Sequence, residues 1–329
     1  MNALIIGLGN IGLRHLEGLS NLEDSNLNVH LFDKSNDYIS RFKNEFKNLE
    51  KKIKINFCSK IESLSKTDFD ITIISTDATE RIKILKHVAK NINSKLIIIE
   101  KPICNSVTDL NFLKKNKFHN VFVNFPGRYC NWHKEIKDKI LKDYPNQIFQ
   151  VDITERNLGI ACNSSHFVDL IHSWIGQYPI KVDSSELSNW KKSKRDGYFD
   201  LDGTIKITFR NNHILRISSG PHYNSLKINI TGNDGKNICF MDYEKGLATF
   251  EDKTFKKGNF NRNISSEDGI RYSRLQSEST NLLYNKLVNK DNEICNLETA
   301  LKCYEKVLIS FIKCWNKSYK TNFKQIMIT

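Results

Sequence analysis

Ala3-Leu-Ile-Ile-Gly7-Leu-Gly9-Asn-Ile-Gly12-Leu-Arg-His-Leu-Glu-Gly-Leu19 is the stretch that decides the fold. Ala3 to Ile6 is a short apolar run that enters three glycines spaced G-x-G-x-x-G. Ile11, Leu16 and Leu19 then recur at helical spacing. The pattern is strand, tight turn, helix, and each glycine has a mechanical role. Gly7 turns the chain, Gly9 lets a pyrophosphate approach the backbone, and Gly12 lets helix and strand pack closely. The helix start offers free N–H groups and a partial positive charge to phosphates. Asn10 and Ile11 lie inside the turn and join the glycines as expected cofactor contacts. A second apolar segment, Asn28-Val-His-Leu-Phe-Asp33, ends in an acid 21 residues after Gly12. This is close to the ~20 expected for the carboxylate that holds a ribose.

The chain has 329 residues, room for two domains. Eight cysteines are present, none in a C-x-x-C pair, as suits free thiols in a reducing cytosol. No run approaches the ~20 apolar residues of a membrane span, and the N-terminus lacks the basic start of a secretory signal, so a cytoplasmic protein without a membrane partner is expected. The formal charge of +13 is spread over both halves. No arginine-rich stripe with interleaved aromatics appears, which argues against a nucleic-acid partner. A basic surface suits an anionic small substrate.

Downstream, Tyr38 to Phe46 reads as helix and Lys51 to Phe57 as strand. Asp70-Ile-Thr-Ile-Ile-Ser75 is a continuous apolar run, the mark of a parallel strand covered on both faces. Ser75 and Thr76 open a polar loop before a helix, Arg81 to Lys90. Lys95 to Glu100 is a further strand, Val107 to Asn116 a helix, and Asn120 to Phe125 a strand. This alternation predicts an α/β doubly wound parallel sheet, whose ligands bind at the carboxyl ends of the strands. Gly7, Asp33, Ser75, Glu100 and Asn124 all fall at such ends. The second half reads differently: helix Lys134 to Leu141, strand Gln147 to Arg156, helix Ser164 to Trp174. Segments 203–209, 213–218 and 225–231 alternate apolar with polar and read as an antiparallel meander. Two helices close the chain, Tyr272 to Asn289 and Leu297 to about Trp315. The last carries Leu297, Leu301, Tyr304, Leu308, Phe311 and Trp315 on one face.

With Gly-Leu-Gly-Asn-Ile-Gly12, Ser75-Thr76, Glu100-Lys101-Pro102 and a later His166-x-x-Asp169 in this order, the chain resembles the glucose–fructose oxidoreductase, inositol dehydrogenase and rhizopine catabolism family (Gfo/Idh/MocA). Asn296-Leu-Glu-Thr-Ala300 resembles that family's usual ending. The resemblance implies a Rossmann domain over 1–122 and an α+β domain with an open, mostly antiparallel sheet over 123–329, its last helices packing back on the first domain. It also implies an NAD(P) cofactor, a sugar or cyclitol-like substrate, and homodimers or homotetramers formed through the second-domain sheet.

Lys101 matches the lysine that the family places between nicotinamide and the reacting carbinol. A lysine at a strand end, partly desolvated, can exchange a proton or polarise a carbonyl. His166 matches the active-site histidine, a proton carrier by type. Asp169, three residues on, shares its helical face and is expected to orient it or bind a hydroxyl. The aspartate that many members carry four residues before this histidine is Cys162 here, which puts a full Asp–His–Lys relay in doubt. A metal site of Cys162, His166, Asp169 and His172 converges poorly, so none is expected. Asn124 and Arg128 lie where the family contacts substrate or cofactor, and Arg128 suits a carboxylate or phosphate. Arg81 replaces a common histidine. Asp33 favours NAD over NADP, because a carboxylate repels a 2′-phosphate; Lys34 and Ser35 keep NADP as the alternative. The expected activity is hydride transfer between NAD(P) and a secondary carbinol or ketone of a sugar, with Lys101 and His166 as catalytic residues. A nucleotide-linked or surface-polysaccharide sugar comes first and a free sugar or cyclitol second. The rivals are a non-catalytic nucleotide-binding sensor on the same fold and reduction of a tetrapyrrole or imine, in which His166 is dispensable.

Overall fold

A computed structural model describes residues 1–22, 26–45, 53–251, 253–256, 284 and 294–329. The chain separates into two compact units. One gathers the described residues of 1–104, 117–126 and 263–297, the other those of 105–116, 127–262 and 298–329.

In the first unit, β1 (Asn2–Ile6), β2 (Asn28–Phe32), β3 (Lys54–Phe57), β4 (Phe69–Ile74), β5 (Ser94–Ile99) and β6 (Val121–Val123) form one parallel sheet. Its order is β3-β2-β1-β4-β5-β6, the doubly wound arrangement. Ile5, Ile73 and Ile98 are fully buried, which accounts for the continuous apolar runs. The order reverses between β1 and β4, where such sheets take their ligands. Helices α1 (Asn10–Ser20), α2 (Asn36–Glu45) and α3 (Ala78–Asn91) belong to this unit. The β6 edge is closed by the segment before Leu297, through the Val123 N–H to the Cys295 carbonyl at 2.9 Å.

Helix α4 (Val107–Lys115) belongs to the second unit, where Lys114 pairs with Glu305 at 2.7 Å. There, α5 (Asn131–Asp143), β7 (Phe149–Glu155), α6 (Ile160–Ile175), β8 (Pro179–Leu187), a β9–β10 pair (Lys191–Lys192, Phe199–Asp200), β11 (Gly203–Phe209), β12 (Ile214–Ser219), β13 (Lys227–Gly232), β14 (Asn237–Asp242), β15 (Leu247–Thr249) and β16 (Thr254–Lys256) follow in order. Eight of these strands form a sheet ordered β16-β15-β14-β13-β7-β12-β11-β8. All its pairs are antiparallel except β7 with β12. The three alternating segments from 203 to 231 are therefore not a simple meander: β7 lies between β12 and β13. Period-two alternation fixes which face a strand buries, not which strand lies beside it. Strand β8 escaped the sequence reading because its side chains are mostly exposed at the sheet's edge.

Ile140 of α5 and Ile171 and Trp174 of α6 cover Val151 and Ile230 on one face of the sheet. Helix α7 (Leu297–Tyr319) runs four residues past Trp315, and all six residues of its expected stripe are buried. The Trp190 and Phe199 rings pack on Trp315, with centroids at 4.9 and 5.2 Å. The tail beyond α7 is held by the Ile326 N–H on the Asn105 carbonyl at 3.0 Å and by the Phe199 N–H on the Met327 carbonyl at 2.8 Å. The expected helix Tyr272 to Asn289 lies outside the described residues, apart from Tyr284.

Candidate functional site

The glycine turn at the end of β1 is built as its spacing requires. Gly7 has φ of +96°, and a side chain there would meet the Thr76 backbone nitrogen at 2.9 Å. A Cβ on Gly12 would lie 1.9 Å from the Gly7 carbonyl oxygen, so α1 can approach β1 only with glycine there. Gly9 differs, since among the described residues no atom beyond its own chain neighbours lies within 4 Å of where its Cβ would be. The protein itself has no use for a bare backbone at Gly9, whereas an approaching pyrophosphate does. Gly9 is also the N-cap of α1 and makes no side-chain capping bond, leaving that helix start to a ligand. These residues fit a dinucleotide. Gly9→Ala is expected to fold and melt like the parent while binding NAD at least about tenfold more weakly, a loss of about 1.4 kcal/mol; titration of NADH fluorescence and a thermal melt check it.

Around this turn, the Asp33 carboxylate accepts from the Leu8 N–H at 2.6 Å and from the Ser35 N–H at 2.8 Å. The acid is thus fixed beside the turn at the end of β2. Ser75 Oγ donates to the Gly7 carbonyl at 2.7 Å, locking the ends of β1 and β4 together, and Thr76 follows against Gly7. Asn10 Oδ1 accepts from Arg41 of α2 at 2.7 Å, and Ile11 is exposed next to it. Arg41 brings a guanidinium to the helix start, a placement the sequence did not signal.

At the end of β5, Glu100 is buried and its Oε1 accepts from Asn124 Nδ2 at 2.7 Å and pairs with His15 Nε2 at 2.8 Å. Burial alone would raise this carboxyl. The hydrogen bond and charge of His15, the Asn124 amide and the Arg81 charge outweigh it and hold the group at about 2. Asn124 has no exposed surface, and its amide serves Glu100. Arg81, also buried, donates to the Pro102 and Thr76 carbonyls and so ties the loop after β4 to the one after β5. Lys101 is half-buried between these anchored neighbours, and the Lys101–Pro102 peptide is cis. A carboxyl depressed from 4.5 to about 2 favours the fold above pH 4.5, and that support is lost as pH falls through 2. Chemical denaturation between pH 5 and 2 is expected to show a decline of about 3 kcal/mol that Glu100→Gln removes.

In the second unit, α6 begins at Ile160, four residues before the expected Ser164. Gly159 caps it in the left-handed region, φ +70°, and Asp200 Oδ1 accepts from the Ala161 N–H at 2.7 Å. The capping acid comes from β10, some 40 residues on, so no local signal announced the earlier start. Cys162 therefore lies inside the first turn of the helix, not before it. His166 is half-buried on α6, and Asp169 is fully buried. Arg128 Nε and Nη2 donate to the two Asp169 carboxylate oxygens, each at 2.7 Å, so these two expected substrate contacts bind each other. Burial chiefly lowers the proton affinity of His172, whose Nδ1 lies 2.9 Å from the Gln177 carbonyl and whose ring stacks on Tyr178. Burial and the Asp169 charge push the Cys303 thiol upward, as suits an inert core cysteine. Among the described residues no cluster of three or more His, Cys, Asp or Glu has metal-binding geometry.

Residues 1–126 match the model of an oxidoreductase family with an NAD-binding Rossmann fold, Gfo/Idh/MocA. That segment belongs to the family. The Gfo/Idh/MocA segment covers the glycine turn, Asp33, the Ser75–Thr76 loop and Glu100-Lys101-Pro102, so the chain carries an NAD-binding oxidoreductase domain. No curated protein matches the chain in sequence. Solved structures similar over almost the whole length include the dehydrogenase MviM from Clostridium difficile, at 16% identity and TM-score 0.65, covering 95% of this chain and 99% of that one. Scyllo-inositol dehydrogenase from Lactobacillus casei, with bound NAD(H) and scyllo-inositol, is similar at 12% identity and TM-score 0.69, covering 96% and 97%. An oxidoreductase from Agrobacterium radiobacter, in complex with NAD+, L-tartaric acid and magnesium, is similar at 13% identity and TM-score 0.70, covering 96% and 97%. At these identities the likeness extends the shared fold into the second unit.

The sequence reading missed His15, Arg41 and Asp200, and it singled out Arg81 without a role. His15 sits one helical turn past Gly12, in register for the β5 end, and its spacing carried that signal. The others act over distances set only by the fold.

Proposed function

We propose that the protein is an NAD-dependent dehydrogenase or reductase acting on a secondary carbinol or ketone of a polyhydroxylated ring, a sugar or a cyclitol. The observation that carries this reading is Lys101, set beside Glu100 at the strand end of an NAD-binding oxidoreductase domain, with the backbone on both sides anchored. NAD, when bound, supplies the hydride chemistry. Lys101 holds or moves the proton of the reacting oxygen and, when charged, polarises a carbonyl. His166 is the second proposed proton carrier, and the Arg128–Asp169 pair holds the α6 face on which His166 stands. Cys162 stands in the place where many members of the family carry an aspartate.

Two substrate classes follow from different observations. The net charge of +13 favours an anionic substrate such as a nucleotide-linked or surface-polysaccharide sugar. The scyllo-inositol bound in the Lactobacillus casei enzyme favours a free cyclitol. A cytoplasmic location and assembly as a homodimer or homotetramer through the eight-stranded sheet are part of this proposal. Among the described residues no helix is long and apolar enough to cross a membrane. The test is a panel of free sugars, cyclitols and nucleoside-diphosphate sugars followed by NADH absorbance in both directions. Saturable turnover with one class selects it. NAD binding without turnover on any of them favours the non-catalytic sensor.

A further inference from the structure

Strand β8 ends the eight-stranded sheet; it pairs with β11 on one side and, among the described residues, with no strand on the other. Together β8 and α7 line a groove of about 890 Å³. Four lysines line it, Lys181 from the strand and Lys306, Lys313 and Lys317 from the helix, against one acid, Asp183. All four are exposed, and none forms an ion pair among the described residues. Four ammonium groups against one carboxylate, Asp183, which interacts with Lys181, leave a net positive groove that selects an anionic occupant.

The form of that occupant follows from the walls. Alternating residues of β8 present an edge of backbone N–H and C=O groups, regular over Lys181–Asp183 before a bulge opposite Ile205. Such an edge accepts an added strand. On α7 the lysines from Lys306 to Lys317 span roughly 16 Å at 1.5 Å per residue, about the length of five extended residues. Lys313 and Lys317 are roughly 6 Å apart along the axis, close to the spacing of alternate side chains on a strand. Ile180 and Ile309 add apolar contact between the charges. Among the described residues no aromatic side chain lines the groove, so these walls offer no stacking surface to bases or sugar rings. A second copy docked here about a two-fold axis would set the same lysines against each other.

We propose that this groove is a docking site for an acidic, extended segment of a partner polypeptide, which adds to the β8 edge and sets its carboxylates against Lys306, Lys313 and Lys317. The full chain is titrated with a fluorescein-labelled octapeptide of alternating glutamate and threonine or valine, and with the same peptide carrying lysine for glutamate. The acidic peptide is expected to bind, the basic one not. Binding falls at least tenfold in Lys306→Glu/Lys313→Glu/Lys317→Glu, and at least tenfold when alternate peptide amides are N-methylated. NADH binding and the thermal melt of the variant stay at parental values. If charge reversal unfolds the chain, the neutral Lys→Gln triple carries the same comparison. Equal binding of both peptides, indifference to the triple substitution, or indifference to N-methylation overturns the proposal. So does preference for heparin or a single-stranded oligonucleotide over the peptide.

Discussion

Lys101→Ala is expected to lower turnover by roughly 10²–10⁴-fold, the range for loss of a positioned general acid or base, while NAD affinity and melting temperature change little. The reason lies in what surrounds Lys101. Glu100 on one side is held by His15 and Asn124, and the Pro102 carbonyl on the other by Arg81. The backbone path is therefore set by groups that survive truncation of the lysine. Lys101→Arg separates two roles. Arginine keeps the positive charge but does not release its proton near neutral pH. It should rescue carbonyl polarisation in part and proton transfer not at all. Because reduction delivers a proton to the same oxygen from which oxidation removes it, turnover lost in both directions in Lys101→Arg identifies proton transfer as the lysine's main contribution, and partial recovery in both identifies its charge. Steady-state kcat and KM on the substrate found by the panel, with NADH titration alongside, provide the readout. An unchanged kcat in Lys101→Ala removes Lys101 from the chemistry, whatever the substrate.

Much of the first unit was legible because its information is local. Three glycines at fixed spacing, an acid some 20 residues on and apolar runs between helices fix strand, turn and crossover within short windows. What tied the strand ends together was not local. Arg81 joins two loops through main-chain carbonyls, and neither end of that contact has a sequence signature. The second unit was less legible. Its strands announced their faces through alternation, yet the parallel pairing of β7 with β12 depends on which distant strands meet. Helix α6 began four residues early because its capping acid, Asp200, arrives from β10. The same limit applies to Arg128 and Asp169. Each looked like a group for substrate when read alone, and only the fold shows that their charges face each other.

That pair gives the second large effect. Asp169→Ala removes a fully buried carboxylate and leaves the Arg128 guanidinium, itself 10% exposed, with neither of its two 2.7 Å acceptors. Breaking one side of a buried ion pair costs about 3–5 kcal/mol, which at roughly 2–4 °C per kcal/mol for a domain of this size lowers the melting transition by about 6–20 °C. Replacing both partners, as Arg128→Met with Asp169→Leu, is expected to cost less than the single change, because the Arg128 charge is then removed together with its Asp169 acceptors. A substrate contact behaves in the opposite way. If Asp169 binds a hydroxyl, Asp169→Asn raises KM, leaves the melt near the parental value, and gains nothing from the Arg128 change. The sign of the coupling between positions 128 and 169 in the melt therefore discriminates the two roles. A compensating double variant makes the pair a brace for the helix that carries His166. Independent effects return Asp169 to the substrate, and with it the acid that Cys162 does not supply.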